Sequence, residues 1–352
     1  MANQKYNLVS LVKKARINHS DLLYLVIALL PSIAEFYVQQ QERWLLAGLV
    51  TTSIFIVQRR LRWGLLPSLG HGLLIACGFA LLYYSQCNLI LFALITALFA
   101  MALCSISHFG NSLHALSSFT ILPVIYLACG FYPAPTELHL INHNFLQLAA
   151  TFPLAIGSAF IPLILQYICR GFGKKALMDM VCGYHHRADP PETHILVTAI
   201  GVFVAVFIAA LWVKWLLPAH GEWLIWSVVS IHTGERVSMH SKVRHRFLGA
   251  TIGPGLGYAI IHSIPKYPLF HHVAVLLIPL TLVAFDCYPL AFTLRSMLHT
   301  VDGMNLGQDD ILALARSLNV LIGSGFGILI CYLAEVVVVR YLRQHTFRKV
   351  TA

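Results

Sequence analysis

Charged side chains are what this chain has least of. They make up 11% of its 352 residues, where ordinary soluble domains carry roughly a quarter. With 58% hydrophobic residues and a mean hydropathy of +0.74, it has too little polar surface to be a soluble globule. Motifs of chemistry are missing as well. There is no Cys-x-x-Cys pair, no His-Glu-x-x-His and no Gly-x-x-x-x-Gly-Lys-Ser/Thr loop, so neither zinc hydrolysis nor ATP hydrolysis is expected. The eight cysteines (Cys77, Cys87, Cys104, Cys129, Cys169, Cys182, Cys287 and Cys331) stand singly. Most lie in apolar stretches, where Cys behaves as a small hydrophobe, so no disulfide framework is expected. Histidine is plentiful, but in pairs such as His185-His186 and His271-His272. Adjacent histidines on a helix diverge, whereas chelation wants i,i+4 spacing or converging loops. No metal or cofactor is expected, and for want of a catalytic constellation the chain is not read as an enzyme.

What is present is apolar sequence in lengths of about twenty residues, enough to cross a bilayer as a helix. About twelve such stretches stand out, several of them short. In the first half they lie at 21–38, 42–57, 64–84, 88–104, 113–130 and 146–168. In the second they lie at 194–217, 223–234, 247–264, 271–287, 288–300 and 311–339. Pro289 separates the short stretch 288–300 from its predecessor, so that pair is expected to be bent or partly re-entrant. Backbone in lipid must be paired internally, and barrel strands would not be so uniformly apolar. The expected fold is all-α, a polytopic transmembrane bundle.

The two sets are related. Leu146–Phe160 reads LQLAATFPLAIGSAF and Leu312–Phe326 reads LALARSLNVLIGSGF, identical at seven of fifteen positions without a gap. Six helices per set make a parallel repeat about an axis along the membrane normal, and transporters often hold substrate between such halves. The expected organisation is a degenerate first repeat over 1–169, a cytoplasmic linker over 170–193 and a second repeat over 194–352. Lys13, Lys14 and Arg16 ahead of Leu22–Leu30 also fit a cleavable signal peptide. The repeat favours a retained helix there, since 194–217 would otherwise lack a counterpart.

The formal net charge is +10, but its placement points to topology rather than to nucleic acid. Basic residues gather before the first helix (Lys5, Lys13, Lys14, Arg16), at Arg59, Arg60 and Arg62, and at Arg170, Lys174, Lys175 and Arg187. Two more groups are Arg236, Lys242, Arg244 and Arg246, and Arg340, Arg343, Arg348 and Lys349. Counting helices from an inside N-terminus puts all five groups on one side, which places both termini in the cytoplasm. Their partner is then the lipid bilayer, and no nucleic acid is implied.

One stretch is more specific than the rest: Lys242–His262, KVRHRFLGATIGPGLGYAIIH. After its cationic start, Gly249, Gly253 and Gly257 fall four apart on one helix face, where missing side chains let another helix approach. Trp223 opens a hydrophobic helix upstream, His232-Thr233-Gly234-Glu235-Arg236 forms a polar turn, and Arg316 and Gly323 mark a later helix. This order resembles the fusaric-acid-resistance family of bacterial inner-membrane proteins, which includes aromatic carboxylic acid exporters. That family's R-x-x-G-T-x-x-G reads here Arg246-Phe247-Leu248-Gly249-Ala250-Thr251-Ile252-Gly253, with Thr one place late and Pro254 interrupting the helix. The likeness extends over about residues 194–343. It implies an inner-membrane efflux transporter of small organic carboxylic acids, aromatic ones among them, driven by the proton gradient. Exporters of that family can work with a periplasmic adaptor protein, which makes such a chain a candidate partner. Longer members carry a soluble domain between their halves, for which 170–193 has no room.

Ionisable groups at membrane depth are costly and by default functional; Glu35, His71, His108, His114, His232, Glu235, Asp286, Arg295, Arg316 and Glu335 qualify. On the family's pattern, Arg236, Arg244 and Arg246 form a cationic vestibule and Arg316 contacts the substrate deeper in. Arginine suits a carboxylate because its planar fork binds both oxygens. Glu235 and Asp286 are the expected proton carriers. Structural readings stand beside these. The arginines also serve as interfacial anchors, Arg316 can snorkel or pair with Asp309 and Asp310, and Asp286 can cap the helix after it. Gly249, Gly253, Gly257 and Gly323 read mainly as packing residues. A passive anion channel and a non-transporting subunit that scaffolds a partner are the alternative functions, and a homo-oligomer is compatible with any of them.

Overall fold

The computed structural model describes residues 17–106, 109–110, 113–133, 135–171, 173–183, 195–216, 220–232, 236–263, 268–305 and 310–350. The first half comprises α1 (His19–Gln39), α2 (Arg43–Leu61), α3 (Leu65–Ser85), α4 (Leu89–Ile106) and α5 (His114–Phe131). After these come α6 (Ile141–Ala149), α7 (Phe152–Ser158) and α8 (Ile161–Arg170), then α9 (Lys174–Cys182). The second half comprises α10 (Ile195–Leu216), α11 (Glu222–His232), α12 (Arg236–Ser263), α13 (Pro268–Leu280), α14 (Tyr288–Asn305) and α15 (Asp310–Val350). Among the described residues the only extended pairing is two isolated bridges, Ile17 with Phe285 and Trp63 with Gly183. Among the described residues, seven stretches are long and apolar enough to cross a membrane: α1, α3, α4, α5, Thr136–Cys169, Thr198–Leu216 within α10 and Leu314–Ala334 within α15. The chain is an all-α, multi-pass membrane protein.

Most helices fall where apolar length places them, and the departures have local causes. The stretch 146–168 is broken into α6, α7 and α8. Pro153 and Pro162 stand in the first turns of α7 and α8, where a residue without an N–H starts a helix more readily than it continues one. The glycine-bearing helix begins at Arg236, so its cationic segment and apolar run are one rod. The linker holds α9, which ends on Gly183 at φ +77. Its backbone lies directly on that of Gly64, where a side chain on either residue would collide. The linker is thereby pinned to the α2–α3 turn.

Packing follows the same plan twice. In the second half α11 lies on α15, α12 on α14, and α10 on both α11 and α15. In the first half α2 lies on α7, α3 on α5, and α1 on both α2 and α7. The halves join chiefly through α4 against α10 and α5 against α11, with α13 reaching α1 and α2.

The α12–α14 contact is the most extensive, and the glycines explain it. A Cβ added at Gly253 would lie 2.5 Å from the Thr293 carbonyl oxygen, and one at Gly257 would lie 2.7 Å from that of Met297. Backbone cannot step aside as a side chain can. Gly253→Ala should therefore cost about 1–3 kcal/mol by overpacking. Gly255→Ala meets nothing within 4 Å and should change stability by less than about 0.5 kcal/mol. Thermal unfolding of the two purified variants in detergent checks this; equal Tm values would contradict it.

Candidate anion pathway

The site is built where α15 comes close to α11. At Gly323 an added Cβ would meet the Leu224 carbonyl oxygen at 2.5 Å and Ser227 Cβ at 2.9 Å, so the two helices nearly touch. Arg316 lies two turns before Gly323 on the same face, and Trp223 and Trp226 lie three apart on α11. The guanidinium of Arg316 therefore sits 3.6 Å from the centre of the Trp223 ring. Trp223 meets Trp226 edge to face at 5.5 Å, and Arg246 of α12 lies over Trp226 at 4.7 Å. The result is a ladder, Arg246–Trp226–Trp223–Arg316, in which each cation faces an indole. Such contacts are worth about 2 kcal/mol when desolvated.

Arg246 is buried. Its Nε donates to the Tyr288 hydroxyl at 2.9 Å and its Nη1 to the Ser227 carbonyl at 3.3 Å. Arg295 of α14, also buried, donates from Nε to the Thr281 hydroxyl at 3.0 Å. Among the described residues, no carboxylate pairs with Arg246, Arg295 or Arg316; the ion pairs there are Arg59–Asp21, His220–Glu222, His271–Glu42 and His271–Asp302. A buried cation without a counter-ion costs several kcal/mol. Two of them, with half-buried Arg316 on an adjoining helix, make this part of the bundle a place where an anion is favoured.

Two cavities open beside the ladder. The first, about 440 Å³, is framed by Arg59, Arg60, Lys242, Arg246 and Arg295, with Asp21 and Asp286. Lys242, in the segment ahead of the apolar run, has its ammonium pulled down to about 8 by burial and by Arg246 and Arg60. The second, about 250 Å³, holds Tyr126, Trp223, His271, His299, Arg295 and Arg316. Leu122, Trp226, Leu282 and Arg295 border both cavities and form a septum between them. On α2, Leu45, Leu46 and Leu49 face the second cavity and Phe55, Arg59 and Arg60 the first. At a rise of 1.5 Å per residue the cavities are stacked over roughly 20 Å. Around the second, Arg316 Nη1, Trp226 Nε1 and His299 Nε2 are buried without a hydrogen-bond partner among the described residues. The arginine and indole groups are donors, and unsatisfied buried donors cost about 1–3 kcal/mol each, which an acceptor admitted there would relieve.

Of the residues singled out from sequence, Arg246 and Asp286 border the first cavity and Arg316 the second. Arg244 is exposed and borders neither. Arg236 opens α12, its side chain not among those described, and Glu235 lies outside the described residues. His114 borders the first cavity, whereas buried His71 is hydrogen bonded to Thr120 at 3.0 Å. His108 lies outside the described residues, as do the side chains of His232 and Glu335. No family pattern singles out Trp226, although Trp-x-x-Trp on a helix places both indoles on one face. In the sequence Arg295 stands out only as an ionisable residue at membrane depth. Glu42, His271 and Asp302 meet in the second cavity, and no motif announces them.

Residues 204–330 match the family model described as fusaric acid resistance protein-like. The matched region runs from α10 into α15 and contains every member of the ladder together with Arg295. No curated protein and no solved structure matches the chain.

Proposed function

We propose that this fusaric acid resistance protein-like chain is a proton-driven efflux transporter of small organic carboxylates, with both termini on the cytoplasmic side of a bacterial inner membrane. The observation that carries this reading is a set of three arginines, Arg246 and Arg295 buried and Arg316 half-buried, none paired with a carboxylate of the described residues, along two cavities that meet at one septum. The family match supports a transport role. The indole faces of Trp223 and Trp226 supply flat apolar surface beside the cations, which favours aromatic acids. On this reading the Lys242 cavity faces the cytoplasm, because the basic segments at 59–62 and 236–246 frame it. Arg236 and Arg244 gather the anion at the surface, a steering role that salt screens. Arg246 admits it, Arg295 passes it across the septum, and Arg316 holds it before release. Asp286 and Glu235 serve the proton on the cytoplasmic side, and a periplasmic adaptor chain receives the substrate.

The test uses the purified protein in liposomes and three solutes of one shape but different charge: benzoate, benzamide and benzylamine. Saturable, protein-dependent flux of benzoate alone is the expected result. Equal flux of all three would remove the anion from the account.

A further inference from the structure

Three ionisable side chains meet in the second cavity without taking part in the arginine ladder. Glu42 precedes α2 in the first half, His271 lies in the first turns of α13, and Asp302 lies near the end of α14. His271 Nδ1 is 2.5 Å from Asp302 Oδ1, and His271 Nε2 is 3.4 Å from Glu42 Oε1. The imidazole is 10% exposed and Asp302 19%, while Glu42 is 62% exposed and so stands at the cavity's opening. Among the described residues, no three His, Cys, Asp or Glu side chains are arranged to hold a metal ion.

The geometry counts protons. A neutral imidazole carries one N–H. If the short contact to Asp302 uses it, the Nε2 lone pair faces the Glu42 carboxylate, and two acceptors repel. The second contact becomes attractive only when one more proton sits on Nε2 or on Glu42. We infer that Glu42, His271 and Asp302 form a second proton-binding site of this transporter, apart from Asp286 and Glu235 on the cytoplasmic side, and that the bound proton latches α2 to α13 across the mouth of the second cavity. The inference rests on the proton-driven reading above. It also explains how exchange is kept strict: the proton closes the cavity after the anion leaves, and its loss reopens the way to Arg316, so the two occupy the cavity in turn.

Among the described residues, the hydrogen-bond and ion-pair partners of His271 are Asp302 and Glu42. Arg295 and His299 face it from α14 and Arg316 from α15, with Tyr126 on α5. Glu222 is held by His220 at 3.5 Å. Arg43 follows Glu42 in the chain, and the His272 ring centre lies 5.3 Å from that of His271. On α1, Glu35 accepts from Gln39 at 2.6 Å.

The deciding quantity is the number of protons moved per anion, read with a pH dye inside liposomes holding the full chain, with benzoate as probe and protein-free liposomes subtracted. The unaltered chain should give a fixed ratio. Glu42→Gln and His271→Gln should lower it roughly tenfold, because each removes a charge-assisted contact. The exposed Glu42 makes its variant the safer one for folding. A ratio unchanged in both variants overturns the inference. So does loss of benzoate flux along with proton flux, which would place these residues in the anion's passage instead. Benzoate flux without protons in the unaltered chain would overturn the proton-driven reading itself, and no benzoate flux at all would overturn the efflux reading.

Discussion

Arg316→Ala should lower carboxylate export by roughly thirtyfold or more, because removing one charge-assisted partner of a buried carboxylate costs at least about 2 kcal/mol. The loss should come without loss of folded protein in the membrane. Arg316 makes no ion pair among the described residues and leaves Nη1 unsatisfied, so its desolvation is a burden on the fold that alanine removes. What alanine forfeits is the stack on Trp223, a contact of about the same size. Arg316→Lys should recover part of the activity, since lysine keeps the charge but offers neither the planar fork nor the flat face. Transport assays and membrane yields on the same preparations test both halves of the statement. A variant that fails to insert would make Arg316 a structural residue.

Arg295→Gln should be as damaging, for a different reason. Leu122, Trp226 and Leu282 share the septum with Arg295, and it is the cation there. A carboxylate about 4 Å from a single positive charge, at an effective dielectric of about 20, gains roughly 4 kcal/mol. Even half of that lost at the crossing slows passage more than tenfold. Binding on either side of the septum remains, because Arg246 and Arg316 are untouched. The variant should therefore bind benzoate with little change in affinity while turning over slowly, a split that substrate binding and flux measured side by side would show. Affinity lost in step with flux would mean that Arg295 belongs to a binding cavity rather than to the crossing.

The sequence carries the fold well because apolar length is a strong signal in lipid. The starts of α1 to α5, α10, α11 and α14 fall close to where hydropathy places them. Glycine spacing is legible for the same reason: Gly249, Gly253 and Gly257 repeat at the helical period and lie along α14. Leu146–Phe160 and Leu312–Phe326 are alike in sequence, but there Ala150 stands where the second half has Arg316. Gly157, the counterpart of Gly323, faces open space. The first half keeps the packing plan and lacks this part of the ladder. Contacts between halves are what the sequence hides. Nothing local links Glu42 with His271, more than two hundred positions apart, and single residues that converge only through helix packing leave no period to detect. The breaks in α6–α8 are a milder case, in which Pro153 and Pro162 outweigh an unbroken apolar run.

The central claim is that a proton gradient drives organic anions past these arginines. Its most direct test is benzoate accumulation by inverted membrane vesicles, with and without an imposed pH gradient and with the Arg316→Ala chain as control. The account predicts concentrative uptake that collapses when a protonophore is added and is lost in the variant. Uptake that follows membrane voltage alone, with the pH gradient without effect, would contradict it and make the chain an anion channel.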